Sequence, residues 1–414
     1  MMRKLLSLIL LLLVVATSAC GQNKRKTSVA VNKPMSSSAK ELGGQSKESL
    51  RADIGEMLLV GFRGTEVGPN DHIYRDIKEH KIGGVILFDY DAPSGKRGRN
   101  IKSYEQLQSL CTSLQAINDD PLFIAIDQEG GRVSRLKSAA GFPTFISAAK
   151  MAEKGIDSVR YYANLTAKTL KDLGINLNFA PCADLNVNPD CPIIGKLERS
   201  FSKRSDVVAE CCNIWIKEQS AQGVMSCLKH FPGHGSASGD THQGLVDISD
   251  TWHQQELYPY QRLIEEGDVP MVMIAHVMNK SVCGELPASL SVQCVKMLLR
   301  EKMGYNGLVI TDDLAMGAIV KQFGQEEALY LALQAGSDIL CLSNNGTSYD
   351  ADLVPNTIET ILKMVEEGKL SASEIHKKAE RIRIAKSKMF AQRNNSTQTD
   401  TKQVGKEKNQ KSLK

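Results

Sequence analysis

Short, unbroken apolar runs recur along the chain, separated by longer segments with a helical period. The runs occupy residues 57–62, 84–88, 122–126, 177–180, 224–228, 271–275, 308–310 and 338–342, eight in all. Continuous apolarity suits parallel strands buried on both faces, whereas strands with one wet face alternate. The intervening segments, with helices predicted over 157–173, 206–222 and 325–335, are long enough for crossover connections. Residues 46–60 also carry a helical period, which competes with the first strand. The pattern predicts an α/β fold, a (β/α)8 TIM-type barrel forming one catalytic domain over residues 46–390. An α/β barrel is the common architecture that uses so long a stretch as one domain.

Polar residues follow the apolar runs. Asp89, Asp127, Asp184, Lys229-His230, His276, Asp312-Asp313 and Ser343-Asn344 each stand just after a predicted strand. A single Asp there reads as a helix cap or a turn residue. So many of them in a barrel, whose strands all open at their carboxyl ends onto one face, predict a shared pocket.

The densest of these stretches is Lys229-His230-Phe231-Pro232-Gly233-His234-Gly235-Ser236-Ala237-Ser238-Gly239-Asp240-Thr241-His242. Its Pro and Gly residues exclude a regular helix or strand, so it reads as a loop carrying titratable groups. His230 and His234 have the spacing of a helical zinc pair, but Pro232-Gly233 between them argues against a helix. Asp240 and His242 lie two apart, and in an extended segment such side chains project to the same side. A carboxylate there can hold an imidazole's orientation and tautomer while the other ring nitrogen handles a proton. The small residues 236–239 suit a loop that closes over substrate and opens for product.

Two other stretches carry carboxylates. Asp127-Gln128-Glu129-Gly130-Gly131-Arg132-Val133-Ser134-Arg135 places acids and two guanidinium groups around a Gly-Gly turn. It reads either as a salt-bridged turn or as a fork for the vicinal hydroxyls of a sugar. In Thr311-Asp312-Asp313-Leu314, Asp312 continues inward from the strand and Asp313 is placed to cap the next helix. An inward carboxylate at a barrel mouth suits attack on, or stabilisation of, an oxocarbenium-like centre. His276 reads as a core histidine, and Trp252 and Tyr258-Pro259-Tyr260 as packing residues.

The ends of the chain change the picture of location. Residues 1–20 have a basic start, a short apolar stretch and Thr17-Ser18-Ala19 before Cys20, the design of a lipoprotein signal peptide with Cys20 as the lipidated residue. Residues 21–45 read as a flexible tether and 391–414 as a disordered tail, both rich in Ser, Lys, Asn and Gln. The expected location is therefore outside the cytoplasm, with the protein lipid-anchored to a bacterial membrane and facing the periplasm or the cell surface. The net charge of +4 owes much to these ends, and no basic face interleaved with aromatics predicts nucleic-acid binding. The ten cysteines include no Cys-x-x-Cys pair. They read mostly as small buried hydrophobes, with one or two bridges open to an exported chain.

The motifs Asp127-Gln128-Glu129-Gly130-Gly131-Arg132-Val133, Arg199-Ser200-Phe201, Lys229-His230-Phe231-Pro232-Gly233-His234-Gly235, Asp240-Thr241-His242 and Thr311-Asp312-Asp313-Leu314 resemble, in order, the motif series of glycoside hydrolase family 3. The resemblance spans about residues 46–390 and is nearest to the β-N-acetylglucosaminidase branch. It implies a (β/α)8 barrel, retention at the anomeric carbon, and no metal or cofactor. It implies Asp312 as nucleophile, His242 as acid/base with Asp240 as its dyad partner, and Asp127, Arg135, Arg199, Lys229 and His230 as sugar-binding residues. Residues 188–198 run about two residues longer than the family pattern before Arg199, which bears on the shape of the subsite there.

The implied activity is that of a monomeric, membrane-tethered retaining exo-β-N-acetylglucosaminidase. Its implied substrates are muropeptides or other glycans ending in β-linked N-acetylglucosamine. A phosphorylase, favoured by an acid/base that does not repel phosphate, and a non-catalytic glycan-binding lipoprotein are the alternatives.

Overall fold

The computed structural model describes residues 46–411, and the expected signal peptide, lipid-bearing Cys20 and tether lie outside them. Eight strands form one sheet: β1 (Leu58–Gly61), β2 (Gly84–Leu87), β3 (Phe123–Ile126), β4 (Leu177–Asn178), β5 (Met225–Phe231), β6 (Met271–Ile274), β7 (Leu308–Thr311) and β8 (Leu340–Leu342). Each pairs in parallel with its sequence neighbours, and β1 pairs with β8. The bridge between Ile310 and Ile339 brings β7 and β8 together, so the sheet closes into a TIM-type barrel.

All eight apolar runs are strands. The helical period at the start belongs to a separate helix, Lys47–Glu56, placed just before β1. The strand interiors are fully buried because crossover helices, such as Ile156–Leu173 and Ser205–Ala221, cover the outside while side chains fill the inside. At Gly84 an added Cβ would lie 2.7 Å from that of Phe123, so the close approach of β2 to β3 requires glycine.

One irregularity matters for the site. Opposite β6, Val272 pairs with Leu228 and Ile274 pairs with Phe231, so Lys229 and His230 together face a single residue. This bulge breaks the alternation of an ideal strand, and both Lys229 and His230 reach the pocket lining.

The ends of the described chain clasp each other. Lys386 meets Glu56 at 2.7 Å, and Arg383 and His376 meet Asp53 at 2.6 and 2.9 Å, joining the last helix to the first. That last helix runs Ala372–Lys411, through most of the stretch expected as a disordered tail; no proline interrupts it. The predicted helix at 325–335 begins earlier, within Gly317–Ala335, and kinks at Gly324. All nine described cysteines are free and buried, as small hydrophobes. Among the described residues no helix is long and apolar enough to cross a membrane.

Candidate active site

A cavity of about 330 Å³ opens where the strands end at their carboxyl termini. It brings together Asp127, Arg135, Arg199, Lys229, His230, His242 and Asp312, seven positions spread along most of the chain. Asp240 stands just behind His242. A larger cavity, about 430 Å³, lies at the opposite end among the strand starts and the last helix, and no histidine lines it. The chemistry is therefore at the smaller one.

The floor is a lattice of ion pairs. Asp127 leaves β3, and the chain continues extended, so Glu129 projects to the same side. At Gly130 (φ 101°) an added Cβ would lie 2.2 Å from the Ile146 carbonyl oxygen, so only glycine lets the chain turn here. The turn sends Arg135 back to Asp127 at 3.0 Å, while Arg132 points to solvent. Only one of the two expected guanidinium groups serves the pocket.

Lys229, 2 % exposed at its side chain, donates from Nζ to Asp127 at 2.8 Å and meets Glu129 at 2.7 Å. Arg199 forks onto Glu129 at 2.8 and 2.7 Å and donates to the Ile193 carbonyl at 2.9 Å. Its remaining contact is His230 Nε2 at 3.1 Å. A guanidinium only donates, so Nε2 accepts, and the proton on Nδ1 faces Asp184 at 2.6 Å. Three carboxylates (Asp127, Glu129, Asp184) face three cations (Arg135, Arg199, Lys229). Burial opposes ionisation, yet Lys229 and Arg135 hold Asp127 well below the carboxylate range, and Arg199 and Lys229 hold Glu129 at about 2. The family pattern assigns Arg199 to the sugar, but most of its donors are already taken by protein.

Glu129 and Asp184 were not among the expected site residues. Glu129 was detectable from its two-residue offset to Asp127. Asp184, one of the polar strand ends, is buried and accepts from the His230 ring and from the backbone N–H of His234 at 2.7 Å. Cys182, Asp184 and His230 place ligand-type atoms within 4.8 Å of one another. Asp184 is already the acceptor for both the Cys182 thiol and the His230 ring, an arrangement that accounts for the cluster without an ion.

Opposite the floor, Asp312 continues the β7 ladder through its backbone N–H to Ile274 O at 2.9 Å. Burial pushes its carboxyl up, but the nearby His276 ring and the Asp313 N–H outweigh that and hold it below the usual range. Asp313 is no helix cap: it accepts from Ser343 N at 2.9 Å, from the Ser343 hydroxyl and from Ala315 N at 3.1 Å. It ties the end of β7 to the end of β8, and burial raises its pKa. His276 is a satisfied core histidine, bonded to Ser289 Oγ at 2.7 Å and to the Asp313 carbonyl at 2.9 Å.

The loop after β5 has two halves. At its root an added Cβ on Gly235 would lie 1.7 Å from the Leu185 carbonyl oxygen. Gly235 N–H donates to Glu256 at 3.2 Å, and Trp252 donates to the Pro232 carbonyl at 3.1 Å. Asn188 and Cys191 of the longer segment brace the same root, and Ile193 and Leu197 from that segment line the cavity. Ser236 and Ala237, expected to flex, are buried; exposure begins at Ser238. Beyond it, Asp240 accepts from the His242 backbone N–H at 2.9 Å and meets its Nδ1 at 2.8 Å. Burial works against Asp240, yet these bonds hold it below the usual range. The His242 side chain is 66 % exposed at the cavity mouth, with Nε2 facing away from Asp240.

Comparison with known proteins gives the family of this barrel. The family profile "Glycosyl hydrolase family 3 N terminal domain" matches residues 49–385. Beta-hexosaminidase A of Pseudoalteromonas piscicida is 38 % identical over 285 residues, covering 64 % of this chain and 46 % of that protein. The present chain thus spans about half of that relative. A beta-hexosaminidase of Xanthomonas oryzae pv. oryzae is 32 % identical over 293 residues, covering 69 % of this chain and 82 % of its own. The solved family 3 beta-N-acetylglucosaminidase from a Paenibacillus species superposes with a TM-score of 0.74 at 32 % identity, covering 83 % of this chain and 63 % of that one.

Proposed function

The chain belongs to glycoside hydrolase family 3, and from that premise we propose that it is a retaining exo-β-N-acetylglucosaminidase. Asp312 attacks the anomeric carbon, and the bond from carbon to the leaving oxygen breaks as that oxygen takes a proton from His242. The resulting glycosyl-enzyme is hydrolysed when His242, now a base, removes a proton from water. Asp240 holds Nδ1 so that Nε2 is the nitrogen exchanging the proton. Asp127, Arg135, Lys229 and His230 form the preorganised sugar site, with Arg199 behind them.

The observation that carries this reading is that an ionised Asp312 and the His242–Asp240 pair border one small cavity lined by the ion-paired Asp127, Arg135 and Lys229. We infer substrates that end in β-linked N-acetylglucosamine, the sugar that a solved relative's name gives, with muropeptides proposed among them. The test is a panel of aryl β-glycosides, with and without phosphate, on the intact chain and on Asp312→Asn. We expect N-acetylglucosaminide cleavage without phosphate, and loss of at least about 10³-fold in the variant. Sugar 1-phosphate formed only with phosphate would instead show a phosphorylase, and absence of any turnover a binding protein.

We propose further that the chain is exported and lipid-anchored through Cys20, on the strength of the signal-like residues 1–20. Detergent-phase partitioning that is lost in Cys20→Ala is the expected result; equal partitioning of both forms refutes it.

A further inference from the structure

The exposed half of the acid/base loop has a dock, the first turn of the helix Gly317–Ala335, which follows the Asp312 segment directly. An added Cβ on Gly317 would lie 2.7 Å from the His242 carbonyl oxygen, a separation that real Cβ atoms do not show. The neighbouring Ala318 N–H donates to the Thr241 carbonyl at 3.3 Å, so the loop satisfies one of the donors that every helix leaves free at its start. Lys321 donates to the Gln243 carbonyl at 3.4 Å. Thr241 is buried, and its hydroxyl faces His234 Nε2 at 3.4 Å, linking the dock back to the loop root.

Glycine is an odd choice at this position. Gly317 is not among the residues in the left-handed region, and alanine is the better helix former. The backbone conformation does not call for glycine. What calls for it is the close passage of residue 242.

We propose that Gly317 is a positioning residue for catalysis: its missing side chain lets the His242 backbone seat against the helix start, so that one segment carries Asp312 and locates the acid/base opposite it. This inference rests on the reading of His242 as acid/base. The dock sets the spacing of the two reacting groups from the helix side rather than through the exposed Ser238 and half-buried Gly239.

The experiment compares Gly317→Ala, Thr241→Val and His242→Ala in kcat/KM, which reports the glycosylation step. Two substrates are used: an unactivated N-acetylglucosaminyl disaccharide and a dinitrophenyl N-acetylglucosaminide, whose leaving group needs no proton. Gly317→Ala should keep or raise Tm, lose at least about tenfold on the disaccharide and change little on the dinitrophenyl substrate. This is the selective pattern of impaired general-acid catalysis. Thr241→Val should show the same selectivity with smaller amplitude. A fall in Tm with equal loss on both substrates, or no loss on either, overturns the inference. If His242→Ala is itself indifferent to the leaving group, the acid/base reading falls; if it is selective and Gly317→Ala is not, only the dock falls.

Discussion

The floor of the pocket and the loop over it are built on opposite plans. On the floor, Lys229 is 2 % exposed and contacts two carboxylates, and Arg199 spends its donors on Glu129, Ile193 and His230. In the loop, His242 is 66 % exposed and its ring holds one partner, Asp240. A site that recognises hydroxyls gains from donors fixed before substrate arrives, since they then need no reorganisation. A group that gives and takes a proton needs access to water between steps, and an uncovered imidazole has it. Rigidity and exposure are thus divided between two regions that share one cavity.

The contrast can be broken first at the floor. Lys229→Met leaves Asp127 and Glu129 short of a cation in a buried place, and should cost about 3–5 kcal/mol of stability as well as activity. Urea unfolding measures it, and an unchanged midpoint means the floor is not a mutually dependent lattice. His242→Ala should do the reverse, losing about 10²- to 10⁴-fold in kcat/KM on unactivated glycosides. Its stability should stay within about 0.5 kcal/mol, as for an ordinary surface change. A clear fall in Tm for this variant would erase the distinction between the two regions.

The smallest effect sharpens the boundary. Glu256 lies beneath the loop root, and burial pushes its carboxyl from 4.5 up to about 7. The folded protein therefore holds this proton longer than the unfolded chain does. Its stabilising effect is complete below about pH 4.5 and is lost as pH rises through about 7. At pH 8 the charged form costs at most about 3 kcal/mol. Glu256→Gln should unfold later than the parent at pH 8 and at about the same point near pH 4. Parallel pH profiles for the two proteins would show that Glu256 does not carry this load.

Much of the architecture was legible in advance because burial on both faces writes itself into composition. All eight continuous apolar runs became strands, and most of the polar residues that ended them met at one mouth, while Asp184 and His276 stayed buried behind it. The Asp240–His242 pairing followed from the two-residue spacing. Legibility stopped where a role depends on what comes from elsewhere. Arg132 and Arg135 look alike in the motif, yet one faces solvent and the other Asp127. Ser236 and Ala237 look flexible, yet segments from 185–191 and 252–256 bury them. Asp313 reads as a cap but bonds to Ser343, thirty residues on.

By itself the amino-acid order determined the strands, the family and most of the charged side chains that meet at the pocket, since these depend on local periodicity and on motifs short enough to read. Only the closed barrel decided which charges neutralise which, that His230 keeps its proton on Nδ1, and that the loop carrying His242 rests on the helix following Asp312. Those outcomes depend on distances between segments remote along the chain, and a charge or a hydrogen bond acquires its strength from neighbours that folding alone brings within reach.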